Sequence, residues 1–324
     1  MNDLIPYADI EAAAERLRAV LAPTPLIRSR HYSERVGAHV YFKLEMLQPT
    51  HSFKVRGAFN AMLSLPPERR QRGVMAASGG NHGLGVTLAA ARLNVPAEIY
   101  LPHSTPALKQ DAIRALGGQV TLFGAAWDEA NQEAQHVAAA SDRPYIHPFD
   151  DPQVMAGQAT IFVEIAQQLP DVSAVIASIG GGGLISGLIS AKQHLCPQVH
   201  VYGVETIGAD SMAQSRAQGR IVELPAITSI CESLGARKTA PRQFAIVSQY
   251  VEDLIVVSDA AAVATMFDLL DREKLLVEPA TACSLNALVE GQIPVQPGEH
   301  IVVILCGANI TLDLARRYET RFLR

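Results

Sequence analysis

The chain has 324 residues, 48% of them hydrophobic, enough to bury a large core and to divide it over two domains. Its net charge of −5, with no run of lysine and arginine, offers no basic face to a phosphate backbone and excludes nucleic acid as an expected partner. Cys196, Cys231, Cys283 and Cys306 lack CxxC pairing and the start, MNDLIPYADIEAAAERL, is an acidic amphipathic pattern and not a signal peptide, so a reduced, cytoplasmic compartment is expected.

In chain order, a first helix is expected over 9–21, stopped by Pro23 and Pro25, then an extended stretch from Leu26 and a strand over 40–44. Val55, Phe59, Met62 and Leu63 recur at helical spacing, which places a helix start near Lys54 with Ser52 positioned to cap it. From Val74 onward, short apolar runs alternate with helical periods. Strands are expected at 74–77, 98–101, 120–123, 174–178, 199–204, 254–257 and 301–305. Helices are expected near 81–93, 106–116, 128–139, 153–168, 184–194, 259–271 and 280–290. Such alternation predicts an α/β protein of two domains, each a mostly parallel twisted sheet flanked by helices. Between 217 and 251 the periodicity is weak, and a loop with some helix is expected. The stretch 172–191 is uncharged and long enough to span a bilayer, but its four consecutive glycines would each cost a helix about 1 kcal/mol. A strand, a glycine turn and a new helix is the better parse. No appended regulatory domain is expected after Arg324.

Lys54 lies between Phe53 and Val55. Most lysines are solvated surface charges, but one held in a partly apolar pocket has a depressed pKa, and its neutral amine can add to a carbonyl and carry protons. Two glycine-rich loops each join an expected strand to an expected helix: Ser78-Gly79-Gly80-Asn81-His82-Gly83, and Gly180-Gly181-Gly182-Gly183. A tight turn alone would use such glycines. Converging backbone N–H groups and the following helix N-terminus also make each loop a potential anion cradle. The second loop has neither the Lys-Ser/Thr of a P-loop nor the GxGxxG spacing, since Ser186 stands where the last glycine would fall. A cofactor with one aldehyde and one phosphate would use the lysine and one loop, and an amino-acid carboxylate the other; that cofactor is pyridoxal 5′-phosphate. Cys306, opening Cys306-Gly307-Ala308-Asn309 after the strand 301–305, is placed to meet the pyridine nitrogen, although free cysteines are commonly small buried hydrophobes.

In order and approximate separation, SFKVRGA, SGGNHG, the tetraglycine loop and CGAN resemble the fold-type II pyridoxal-phosphate enzymes, specifically their threonine/serine dehydratase and serine racemase branch, over nearly the whole chain. The resemblance implies a tryptophan synthase β-like fold. Its large cofactor domain would comprise 1–72 and 148–324, and its small domain 73–147 would carry the Asn81 loop. It implies a homodimer acting on a small amino acid, with Lys54 as the Schiff-base lysine and α-proton base, and Phe53 packed beside it. Asn81 would contact the cofactor's 3′-oxygen, Gly180, Gly181, Gly182 and Gly183 its phosphate, and Cys306 its ring nitrogen. Glu278, in Val277-Glu278-Pro279-Ala280, would lie near the polar edge of cofactor or substrate. Ser78, Gly79, Asn81 and His82 would hold the substrate carboxylate.

Two departures from the family's pattern matter. Serine racemases carry a second serine where Gly79 stands, a base on the face opposite the lysine; with one base on one face, dehydration is favoured over racemisation. The expected reaction is therefore β-elimination, taking an L-β-hydroxy amino acid of the threonine/serine type to a 2-oxo acid and ammonia in an amino-acid catabolic role. A dehydratase for 3-hydroxyaspartate or phenylserine would use the same core residues; an amino-acid racemase and a silent ligand-binding protein are the alternatives. The family's divalent site, for Mg or Ca, is a Glu, a backbone carbonyl and an Asp and maps onto Glu205, Ala209 and Ser211; Ser211 thins the carboxylate donors a hard cation needs unless Asp210, one residue early, or water substitutes.

Overall fold

The computed structural model describes residues 3–324. It begins with α1 (Tyr7–Arg18), which buries Ile10, Ala13 and Leu17 along one stripe. There follow β1 (Leu26–Ser29), α2 (Arg30–Val36), β2 (His39–Lys43), α3 (Lys54–Ser64) and the single turn α4 (Pro67–Arg70). Next come β3 (Val74–Ala77), α5 (Asn81–Arg92), β4 (Ala97–Leu101), α6 (Ala107–Ala115), β5 (Gln119–Leu122) and α7 (Trp127–Ala140). The remainder is α8 (Pro152–Gln168), β6 (Ala174–Ser178), α9 (Gly183–Leu195), β7 (His200–Thr206), α10 (Ser211–Gln218), α11 (Pro241–Tyr250), β8 (Asp253–Val257), α12 (Asp259–Glu273), α13 (Pro279–Val289), β9 (His300–Ile304) and α14 (Leu312–Phe322).

Two sheets result. One has six strands in the order β1-β2-β9-β6-β7-β8, parallel except for the antiparallel β1-β2 edge pair. The other has three parallel strands, β3-β4-β5. Every residue of β6 is buried, as expected of a central parallel strand covered on both faces. Alternate side chains then serve opposite layers: Ile176 and Val303 pack with Leu285 of α13, while Val175 and Val302 pack with Phe162 of α8 and Leu188 of α9. α3 serves the other core. Its Val55, Ala58 and Phe59 join Val74 and Ile99 of the small sheet, together with Val154 of α8.

The fold is the expected α/β arrangement with two sheets, and the stretch 172–191 is a strand, a glycine turn and a helix. Among the described residues no helix is long and apolar enough to cross a membrane. One local expectation is corrected. Ser52 does not cap α3: Phe53 is the N-cap residue, in helical conformation, and the Ser52 hydroxyl is buried without a partner among the described residues. Instead, Phe53 N–H donates to the Cys306 carbonyl (3.0 Å) and Ser52 bridges Gly307, so the end of β9 holds the start of α3.

Candidate active site

The loops after β3, β6 and β9 all leave the carboxyl ends of their strands and meet at a cleft of about 820 Å³, lined by Lys54, Asn81, Gly181, Glu278 and Cys306 among others. Lys54 is the first residue of α3; its Nζ donates to the Pro148 carbonyl at 2.8 Å and lies 5.2 Å from the Phe53 ring centroid. Burial of the amine brings its pKa down to about 8, against a smaller opposing influence from Cys306. Near neutral pH about a tenth of it is therefore an uncharged nucleophile, far more than for a solvated lysine.

The tetraglycine loop is built so that only backbone fits. A Cβ on Gly181 would lie 2.2 Å from the Phe149 ring, one on Gly183 would lie 2.9 Å from the Phe149 Cα, and one on Gly180 would lie 3.1 Å from the Ser233 carbonyl. Gly182 has φ of +94°, and α9 starts directly after it. The first amides of α9 lack intrahelical partners and present the positive end of the helix dipole to the cleft, which suits a phosphate. The Asn81 loop is tight at one glycine: a Cβ on Gly83 would fall 2.0 Å from the Ser78 carbonyl, and Ser78 Oγ accepts from the Gly80 amide at 3.2 Å. His82 turns its ring away into the protein, where Nε2 donates to the Ile146 carbonyl at 2.8 Å. Burial, with Lys54 nearby, holds its pKa down to about 3, so the imidazole is neutral, and what it brings to the loop is its amide. Gly79 leaves its face bare: the atoms nearest an added Cβ are Thr105 Cγ2 at 3.1 Å and Leu101 Cδ2 at 3.5 Å.

Cys306 is buried, its Sγ 3.1 Å from the Thr281 hydroxyl, and burial pushes its thiol up to about 11, opposed by the Thr281 hydrogen bond. It is a neutral group at physiological pH. Glu278 accepts from Asn81 Nδ2 at 3.0 Å, from the Asn309 amide at 2.8 Å and from the Ser233 hydroxyl. A buried amine, a side-chain-free anion cradle and a neutral thiol around one cleft fit pyridoxal phosphate at its aldehyde, phosphate and ring nitrogen. The family described as pyridoxal-phosphate dependent enzyme matches residues 17–307. The chain belongs to that family.

Among relatives of this pyridoxal-phosphate enzyme, the L-threonine ammonia-lyase of Geobacter sulfurreducens is 41% identical over 307 residues, covering 95% of this chain and 76% of that protein. The processed form of threonine deaminase isoform 2 from Solanum lycopersicum superposes with a TM-score of 0.90 at 36% identity, covering 97% of this chain and 86% of that one. Maize serine racemase does so at 0.91 and 31% identity, covering 98% and 97%. A dehydratase-type and a racemase backbone fit equally well, so the difference between them must lie in side chains.

The residues expected to hold Mg or Ca do not fit a hard cation. Glu205, at the end of β7, spends both oxygens on the first turn of α10, accepting from Met212 N–H at 3.0 Å and Ala213 N–H at 2.7 Å. Ser211 Oγ donates to the Ala236 carbonyl at 3.1 Å. Among the described residues no group of three or more His, Cys, Asp or Glu could hold a metal ion. In this arrangement Glu205 caps α10, and burial raises its pKa to about 8. Sequence reasoning missed the partners that come from afar: Pro148 and Phe149 lie in a segment without periodicity, and Thr281 and Ser233 in no motif. Asn309 stood in the quoted CGAN motif and could have been found there.

Proposed function

We propose that the protein is a dehydratase (ammonia-lyase) that uses pyridoxal phosphate to convert an L-β-hydroxy amino acid of the threonine/serine type to a 2-oxo acid and ammonia. The observation that carries it is the Lys54 amine, buried at the meeting point of two backbone cradles, with a glycine and not a serine at position 79. When bound, the cofactor supplies a conjugated ring that withdraws electrons from the substrate nitrogen and makes the α-proton acidic. Gly180, Gly181, Gly182 and Gly183 hold its phosphate through amides. Ser78, Gly79, Asn81 and the amides up to His82 orient the substrate carboxylate. Phe53 walls the lysine, and the Cys306 thiol meets the ring nitrogen as a neutral partner that does not keep it charged.

Lys54, neutral for part of the time at physiological pH, accepts the α-proton. The β-hydroxyl then leaves as water, taking up one proton for the one that Lys54 removed, and one water is consumed when the released enamine hydrolyses, so the net products are a 2-oxo acid and ammonia. The serine hydroxyl that racemases carry at this position is missing from Gly79 itself; the nearest hydroxyl is that of Thr105, 3.8 Å from where a Cβ on Gly79 would stand. That supports elimination over racemisation. Residues 73–147, which contain the small sheet, form the small domain in this reading, and 1–72 with 148–324 the large one. Four free cysteines suit a reducing cytoplasm. A homodimer is the proposed assembly, to be checked by light scattering, where the mass of one chain would rule it out.

The test is a panel of L-threonine, L-serine, 3-hydroxyaspartate and phenylserine, assayed for 2-oxo acid and ammonia with and without EDTA, with chiral analysis of the serine reaction. Threonine or serine should give 2-oxo acid, and EDTA should change nothing, because Glu205 is spent on α10. No turnover of any member would overturn the dehydratase, and D-serine forming faster than pyruvate would replace it with a racemase.

A further inference from the structure

Asn81 carries an amide whose two ends differ in chemistry, and a single 180° flip would exchange donor for acceptor. Three neighbours decide which end goes where, the weakest being Ser233, whose Oγ accepts from Asn81 Nδ2 at 3.4 Å. Glu278 can only accept when ionised, and its Oε1 lies 3.0 Å from Asn81 Nδ2. On the other side, Asn309 Nδ2 donates to Asn81 Oδ1 at 2.5 Å. The second hydrogen of that Asn309 amide goes to the Thr50 carbonyl at 2.8 Å, and the Asn309 backbone N–H goes to Glu278 Oε1 at 2.8 Å. Asn309 therefore touches three segments: the Thr50 loop leading into Lys54, the first residue of α5, and the Glu278 carboxylate preceding α13. Its own orientation is fixed because the carbonyl of Thr50 and the Oδ1 of Asn81 both require a donor.

We propose that Asn309 is a positioning residue that, by donating to Asn81 Oδ1, fixes the orientation in which the Asn81 amide lines the cleft where the cofactor would bind. Without Asn309 the Oδ1 of Asn81 loses its donor, and the flipped orientation becomes accessible apart from the opposition of Glu278. The proposal rests on the assignment of Asn81 to the cofactor made above, and it concerns a residue that meets the reacting atoms only through Asn81.

The test uses the cofactor-loaded protein without substrate. The visible absorbance of the bound cofactor is titrated against pH in wild type, Asn81→Ala, Asn309→Ala and the double variant, and cofactor affinity is measured by back-titrating stripped protein. Asn309→Ala is expected to shift the absorbance titration and to weaken cofactor binding about tenfold, as loss of a partner one shell out commonly does. The double variant should lose about as much as Asn81→Ala alone, because both changes remove one arrangement. If Asn309→Ala does not fold, Asn309→Asp keeps the volume but sets an acceptor against two acceptors, and the same shift is expected. A purely structural role would lower the melting temperature of stripped protein and leave the absorbance titration in place, which would overturn the proposal; so would losses from Asn81→Ala and Asn309→Ala that multiply. A loaded protein that keeps its wild-type titration but releases no 2-oxo acid from any β-hydroxy amino acid would overturn the dehydratase and leave Asn309's role standing.

Discussion

A lysine amine at the start of a helix, with one carbonyl partner and an aromatic wall, trades solvation for reactivity. Lys54 would titrate at 10.5 in the unfolded chain and at about 8 in the folded one. Below about 8 it is charged in both states and its burial costs stability; between 8 and 10.5 the folded state has released a proton that the unfolded state still holds, so stability recovers as pH rises. The same shift governs chemistry, since only the neutral amine adds to an aldehyde. Capture of pyridoxal phosphate by stripped protein, trapped by borohydride and followed by mass spectrometry, should rise with pH to a half-maximum near 8 and vanish in Lys54→Ala. A midpoint near 10.5 would mean that the cleft does not perturb the amine. His82 and His147, held down to about 3 and about 4 mainly by burial, add no inflection between those values and 8. The flanking Phe53 and Val55 made Lys54 legible from neighbours in sequence. Its partner Pro148 was not, because 94 residues separate the two and no local pattern encodes a carbonyl aimed across a cleft.

At the scale of elements, the two glycine loops look alike in sequence and differ in what they tolerate. Gly181 faces the Phe149 ring, and an added Cβ at 2.2 Å must displace either the ring or the loop, whereas nothing lies within 4 Å of a Cβ on Gly80. Gly181→Ala should cost about 1–3 kcal/mol by overpacking and weaken cofactor capture sharply, while Gly80→Ala should leave melting temperature and capture near wild type. Equal losses in thermal melts and cofactor titrations would show that the crowding at Phe149 is not what the loop obeys. Strands 74–77 and 174–178 were readable to the residue because buried parallel strands carry continuous apolar runs. α10 was not, since the group that satisfies its first amides is Glu205 on the preceding strand and not a neighbouring cap. Nor was α14 anticipated, although Leu314, Ala315, Tyr318 and Phe322 recur at helical spacing in it. The segment before α11 is positioned by distant pairs such as Arg237–Asp128 at 3.0 Å, which no window of sequence displays.

Across the whole molecule, charge is placed in two very different settings. Beneath the cleft, Arg56 is almost fully buried and donates to Glu45 and Glu164, while Lys43 donates to Glu164 at 2.6 Å. At the cleft mouth, Lys109 of α6 pairs with Glu232, and Arg237 pairs with Asp128 at the start of α7, each joining the small-sheet side to the segment 232–237 of the large side. The mouth pairs are solvent-exposed, with Glu232 65% exposed, so each is worth about 0–1 kcal/mol and is screened by salt. Removing Arg56 instead leaves Glu45 charged and uncompensated in the core, a loss of about 3–5 kcal/mol. Arg56→Met should therefore lower the melting temperature substantially at any ionic strength. Lys109→Ala should leave the melting temperature almost unchanged but alter KM for the amino acid, and high salt should bring wild type toward the variant's KM. Melts and steady-state kinetics at low and high salt separate the two. If Lys109→Ala melted as early as Arg56→Met, or if its KM matched wild type at low salt, the mouth pairs would have no part in substrate binding distinct from stability.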